Sequence, residues 1–321
     1  MTSSNLDLEY SDEDIREFIE AAVAQKGTQH RPRFYAITGS HIYDFESADS
    51  DIDVRGLNVV PPEEYAYLET PAEEVTVNMD GTTEGFEEYA EVDLRSCELR
   101  KFGSLLAKAN YNVIELVFEA PTVMNGMPLE MDALQALIRE HLPMNVPHAY
   151  LGMAKSNYYK HLDPEKSEGY EPKAKKFLYV YRGLLGAQYV INHEDIEANV
   201  HELAKSVDGG DPELVDDLVA HKREVSEARS ASDASSAERS SADHSSGQRG
   251  GSTASTGTAE PSPGPREDGE TASDEPFVPD ELEARAREAI VEQFNALDAL
   301  PDPDKSGYRA DLDEWMRKVR S

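Results

Sequence analysis

Two short stretches decide how this chain is read: Gly39-Ser40-His41-Ile42-Tyr43 and, a few residues on, Asp49-Ser50-Asp51-Ile52-Asp53-Val54-Arg55-Gly56. An apolar run from Phe34 to Thr38 leads into the first. A second, from Ile52 to Val60, carries the carboxylates. The pattern predicts a strand, a tight turn, a short helix and a second strand. Side chains two apart on a strand share a face, so Asp51 and Asp53 are expected side by side. Two bare carboxylates that close repel each other unless a cation lies between them. Oxygen-only ligands favour Mg²⁺ or Mn²⁺. Gly39 lets a backbone approach closely, and Ser40 offers a hydroxyl and an N–H at a helix start, a setting suited to phosphate. Metal plus phosphate is the chemistry of phosphoryl or nucleotidyl transfer.

Acidic-x-acidic alone carries no weight here. With 64 Asp and Glu in 321 residues, composition produces it about 13 times by chance. The signal lies in the preceding Gly-Ser, the apolar flanks and the following Arg55-Gly56. Taken together, GSHIYDFESADSDIDVRG resembles the active-site signature of the DNA polymerase β-like nucleotidyltransferase superfamily. The fuller string resembles one branch of it, the uncharacterised predicted nucleotidyltransferases, which include an RNA-repair-associated group. The usual form there is closer to GSxxYG…SDxDxRG. This chain has Asp44 at the expected glycine, so the turn after Tyr43 is expected to differ.

The resemblance extends further along the chain, over about residues 36–191. Asp93-Leu94, Leu99-Arg100-Lys101-Phe102 and Asn110-Tyr111-Asn112-Val113-Ile114-Glu115 follow the order seen in that branch, with Tyr111 where proline is usual. It implies a third carboxylate from a neighbouring strand, with Asp93 the candidate. Glu91 shares a strand face with Asp93, and spacing does not separate the two. It also implies two Mg²⁺ (or Mn²⁺) ions on Asp51, Asp53 and Asp93, about 3.5–4 Å apart. Gly39 and Ser40 would grip the β/γ phosphates of an NTP substrate. The acceptor is open between RNA, a protein hydroxyl and a small molecule. An alternative on the same fold is a catalytically weak binding or regulatory module, antitoxin-like in character. Phosphodiester hydrolysis at the same site is a third reading.

The formal charge is −33, with 31 Lys and Arg, and it is spread along the chain. Such a surface suggests a halophilic cytoplasm and argues against broad non-specific nucleic-acid binding at low salt. High salt screens that repulsion, so a nucleic-acid substrate is not excluded. One cysteine, Cys97, permits no intrachain disulfide, fits a reducing interior and reads as a buried thiol on a helix. No run of 18 apolar residues and no N-terminal h-region occur. A soluble, cytoplasmic protein without membrane contact is expected, its oligomeric state open.

The expected fold is α/β: a small mixed β-sheet nucleotidyltransferase core over residues 1–121, then a mainly helical region over 122–229. Ser11 to Lys26 reads as an amphipathic helix with a capping-box start. Glu74 to Met79 reads as a strand, Asp80-Gly81 as a hairpin turn and Phe86 to Leu94 as the return strand. Ser96 to Ala109 and Pro128 to His141 read as helices. Pro143 and Pro147 are expected to break the chain before a further helix from His148, itself more structural than catalytic. Glu115 is open between a functional, a structural and a solvent-facing carboxylate. No zinc-ligand pattern is present.

Lys173-Ala174-Lys175-Lys176 opens a helix running to Ile191. Lys176, Tyr179, Arg182 and Gly186 fall on one stripe. Cations there, Lys176 and Arg182, are expected to face the cleft and hold a triphosphate or an RNA backbone. Asp211 to Ala228 is a weaker helix. Residues 230–276 hold almost no large apolar side chains and are expected to be a disordered insert. Residues 277–321 return to helices that pack on the helical region, with Trp315 as an anchor.

Overall fold

The computed structural model describes residues 12–25, 30–47, 50, 52–79, 92–167, 170, 172–243, 277–298, 300 and 308–320. In chain order they form α1 (Asp12–Gln25), β1 (Arg31–Thr38), α2 (Ser40–Tyr43), β2 (Ile52–Val59), β3 (Glu74–Met79) and β4 (Val92–Glu98). Then come α3 (Leu99–Leu106), α4 (Tyr111–Phe118), β5 (Thr122–Asn125), α5 (Pro128–Asn157), α6 (Ala174–His193) and α7 (Val200–Ser206). Last are α8 (Pro212–Asp243), α9 (Asp280–Ala296) and α10 (Tyr308–Arg320). Ser11, the Asp80-Gly81 turn, Glu91 and Asp51 lie outside the described residues.

The five strands make one mixed sheet in the order β3-β4-β2-β1-β5. β1 runs antiparallel to β2 and β5, and β2 runs parallel to β4. Alternation sorts β1 between two cores. Tyr35 and Ile37 point to one face, where Ile15, Phe18, Ile19 and Val23 of α1 cover them. Phe34 and Ala36 point to the other, into the large core built from α3 to α10. No helix among the described residues is long and apolar enough to cross a membrane.

Several boundaries differ from the sequence reading. β4 runs on to Glu98, because Ser96 and Cys97 pair with Gly56 and Leu57 on one side and with Val75 and Glu74 on the other. Cys97 is thus a strand residue, and burial pushes its thiol up to about 12, which leaves it inert as a nucleophile. Glu98 then caps α3 by accepting the Arg100 N–H at 2.6 Å. Strand β5, beyond residue 121, joins the sheet, so the sheet unit extends to Asn125.

Pro143 and Pro147 do not break the chain: α5 is continuous from Pro128 to Asn157. An interior proline costs about 3 kcal/mol. Leu142, Val146 and Tyr150, one turn apart, are all buried, at about 1.5–3 kcal/mol each, and that offsets it. α8 passes the expected boundary and runs to Asp243; no Gly or Pro, the strongest helix breakers, occurs between Glu213 and Ser246 to end it. The remainder of the expected insert, 244–276, lies outside the described residues. α10 reaches the sheet unit as well as the helices. Trp315 donates to the Glu130 carbonyl at 2.7 Å and its ring lies 6.3 Å from that of Phe102 on α3.

Candidate active site

The β1–β2 ladder pairs Thr38 with Asp53, so the Gly39-Ser40 turn sits directly over the Asp53 carboxylate. Gly39 holds φ 72°, ψ −145°, a region almost reserved for glycine. A β-carbon there would be driven into the Asp53 carboxylate. Glycine is therefore required twice over, by backbone angle and by space. Ser40 opens α2, and Asp44 closes it at φ 63°, ψ 35°. Asp44 thus takes the left-handed conformation that a glycine adopts freely and that aspartate tolerates. The turn keeps a glycine's geometry although the residue is not glycine.

The parallel β2–β4 ladder sets Asp53 opposite Asp93, and neighbouring strands lie only about 4.8 Å apart. The two carboxylates therefore meet on one face. Arg55, two residues along, lies between them. Its Nη2 donates to Asp53 Oδ1 at 2.6 Å and to Asp93 Oδ2 at 2.9 Å; its Nη1 donates to the Asp93 carbonyl at 2.8 Å. The three side chains stay 20–27% exposed. Asp93 Oδ1 is buried and has no hydrogen-bond partner among the described residues. Gly56 follows because the Tyr35 ring of the paired strand lies over it, where a β-carbon would collide. Arg55 and Gly56 were legible only as part of the motif; nothing in the spacing assigned Arg55 to the carboxylates.

Arg182 does not face the cleft, contrary to the sequence expectation. It is 0% exposed and pairs with Glu115, itself 1% exposed, at 2.5 Å. Its guanidinium stacks 3.7 Å from the Tyr43 ring centre. The Tyr43 and Tyr150 hydroxyls donate to the two Glu115 oxygens at 3.0 and 2.6 Å. Burial, then the nearby Glu115 charge, pushes both tyrosines well above their ordinary range, so they remain donors. Glu115 is thus a structural carboxylate, and the quartet joins α2, α4, α5 and α6. The physical reason is reach: α6 is buried along most of its length, and a carboxylate inside the core needs a cation.

Lys176 lies in the first turn of α6 and is half-buried. One turn on, the Tyr179 ring packs against Tyr43 and Phe45, with centroids 5.9 and 5.5 Å away. Residues three apart share a helix face, so Lys176 stands on the side of α6 that meets the segment after the Gly-Ser turn. Two cations that the sequence reading passed over grip this same segment from α8. Lys222 Nζ donates to Ser47 Oγ at 2.7 Å, and Arg223 donates to the Glu46 carbonyl and carboxylate, both at 3.0 Å. About 175 residues separate the partners, and no local signal could have joined them.

A family model described as the RNA repair pathway DNA polymerase beta family, RlaP, matches residues 13–241. The chain belongs to this family. The match is wider than the motif resemblance and takes in α1 and nearly all of α8. An uncharacterized protein of Bacillus subtilis (strain 168), YcgL, is 26% identical over 163 residues, 50% of this chain and 57% of the relative. The chain therefore spans little more than half of that relative's length. A crystal structure of a nucleotidyltransferase-like protein from Exiguobacterium sibiricum 255-15 aligns over 96% of this chain and 74% of that one, at 10% identity and a TM-score of 0.26, too low to bear on the fold. Family membership suggests a nucleotidyltransferase-type function.

Proposed function

We propose that this protein is a metal-dependent nucleotidyltransferase that moves an NMP from an NTP to an acceptor hydroxyl. In that reaction the acceptor oxygen forms a bond to the α-phosphorus, and the bond from that phosphorus to the β-phosphate oxygen breaks. Pyrophosphate leaves with the electron pair, and the hydroxyl proton passes to water. The observation that carries the reading is the Asp53–Asp93 pair, held in register beneath the Gly39-Ser40 turn with a guanidinium seated between the carboxylates. The site already accommodates positive charge.

The residues fit a hard divalent cation. Asp53 and Asp93 supply oxygen donors only, and one Asp93 oxygen is without a partner among the described residues. Arg55 does not forbid it, because a part-exposed ion pair is worth about 0–1 kcal/mol and is readily exchanged. A bound divalent cation would neutralise the charge of the transferred phosphate and of the leaving group. The chain's own share is positioning. Gly39 and Ser40 would meet the β/γ phosphates, Lys176 would add a cation from α6, and Lys222 and Arg223 would hold the segment that carries the motif. Asp51 would complete the carboxylate set.

A second reading, a weakly catalytic regulatory module, draws on the same Arg55 bridge, which neutralises the carboxylates without a metal. The two differ in product. Each α-³²P-labelled NTP would be incubated with Mg²⁺ or Mn²⁺ in high-potassium buffer, as an acidic surface of this kind recommends. Total RNA and protein would serve as acceptors, with Asp51→Ala/Asp53→Ala as control. Label in RNA or protein with the wild type alone is expected. NTP binding without transfer would favour the regulatory reading, and neither would overturn both.

A further inference from the structure

The opposite end of the β1–β2 ladder carries a second polar site, independent of the carboxylates. Arg31 pairs with Val59 there, whereas Thr38 pairs with Asp53. Six residues of β2 at about 3.3 Å each separate the two ends by about 20 Å. A cleft of about 220 Å³ opens at this end, lined by Arg31, Arg33, Arg320 and Glu63 and walled by Pro61 and Pro62.

The register shift in β1 falls between Pro32 and Phe34, which makes Arg33 the extra residue of a bulge. Bulges re-aim side chains, and here the re-aimed side chain lines the cleft. Arg33 Nε and Arg320 Nε are buried without hydrogen-bond partners among the described residues. Arg320 is partly neutralised, since its Nη2 donates to Glu98 at 3.1 Å. Arg100 and Arg320 both stack on Tyr65, at 5.1 and 5.3 Å. Arg31 and Arg33 enter no ion pair with any of the described residues.

Composition makes this unusual. The chain holds 64 carboxylate side chains against 31 Lys and Arg, so each cation has about two acids to choose from. Two arginines in one cleft without an ion pair among the described residues, with a third beside them, are therefore a local excess against the charge of the whole. Glu63 at the rim is the only carboxylate among the lining residues. We propose that this cleft binds a single phosphate group. Arginine forks match phosphate oxygens. The volume is below the roughly 300 Å³ at which small-molecule pockets begin, so it suits a phosphate rather than a whole nucleotide. The remote acids do not cancel it, because charges beyond about 8 Å are largely screened at 0.15 M salt. The phosphate could be inorganic or one linkage of a nucleic-acid strand. The proposal does not rest on the carboxylate site.

The test is equilibrium dialysis of the full chain against ³²P-orthophosphate, without divalent metal, at 0.15 M salt or at the lowest higher salt that keeps the native circular dichroism. One saturable site is expected. Arg31→Gln/Arg33→Gln should weaken it roughly tenfold or more, since it removes charge-assisted hydrogen bonds to the phosphate, with the circular dichroism unchanged. Asp53→Asn should bind as the wild type does. A short single-stranded oligoribonucleotide is then added as competitor. Displacement identifies a strand phosphodiester as the source, and retention identifies inorganic phosphate; either outcome supports the site. The proposal is overturned by no saturable binding up to about 10 mM, where affinity falls below that of a weak ligand. It is equally overturned by undiminished binding in the double-arginine variant, or by loss of binding in Asp53→Asn.

Discussion

Arg55 and Arg182 are both set against carboxylates, one at the mouth of the sheet and one in the interior. Arg55 bridges Asp53 and Asp93 with all three side chains part-exposed. Arg182 meets Glu115 with both sealed from water, and two tyrosine hydroxyls complete the carboxylate's hydrogen bonds. The chemistry of the two clusters is the same and the solvation is not. In water's reach an ion pair is nearly neutral in energy and its cation can be exchanged. In the core neither partner can leave without stranding the other. The open cluster is the one to which the proposed function assigns a visiting ligand, and the closed one fastens the Gly-Ser turn to the helices through Tyr43.

The sharpest way to break this contrast is to remove each arginine. Arg182→Met should lower the unfolding free energy by about 3–5 kcal/mol, the cost of a stranded buried charge, whereas Arg55→Gln should lower it by about 0–1 kcal/mol. Denaturant titration in concentrated potassium chloride reads both. If Arg182→Met folds as stably as the wild type and instead weakens NTP binding, Arg182 belongs to the cleft and the contrast fails. Gly39→Ala tests how tightly the open cluster is built. Positive φ together with the collision against Asp53 should cost about 1–3 kcal/mol, and label transfer should fall with it. A Gly39→Ala protein with unchanged stability would mean that the turn is not held against Asp53.

The smallest effect concerns a carboxylate that has no arginine of its own. Glu119, at the end of α4, forms no ion pair among the described residues. Burial, followed by the nearby Glu197, Asp195 and Glu115, pushes its carboxyl up to about 7 from an ordinary 4.5. Because the folded form holds this proton more tightly, the associated stability is fully present below about pH 4.5. It is lost as pH rises through 7. Partial exposure reduces the effect to about 1 kcal/mol. Thermal melts at pH 5 and pH 8 should show Glu119→Gln lacking that part of the wild-type decline. An identical decline in both proteins would remove Glu119 from the comparison.

The motif and its strands were legible from local patterns. Glu74 to Met79 was bounded as β3 lies, and α9 and α10 fall within residues 277–321, where helices were expected. Apolar alternation, 3.6-residue periodicity and Gly-Ser before the carboxylates all act over a few residues, and such signals survive in a sequence read alone. Asp93 was named from the resemblance, but its place opposite Asp53 follows from the parallel β2–β4 register, which no spacing records; Asp51 and Glu91 lie outside the described residues. Tertiary structure alone decided that α5 passes through two prolines, that Arg182 is sealed with Glu115, and that Lys222 and Arg223 hold the motif segment. The reason is common to all three. Whether a proline is tolerated or a cation is bound by ligand or by core depends on what lies against it, and here that neighbour comes from a separate element. Sequence determined which side chains were available and which local turns could form; packing determined which of their charges were buried and which were left within reach of water.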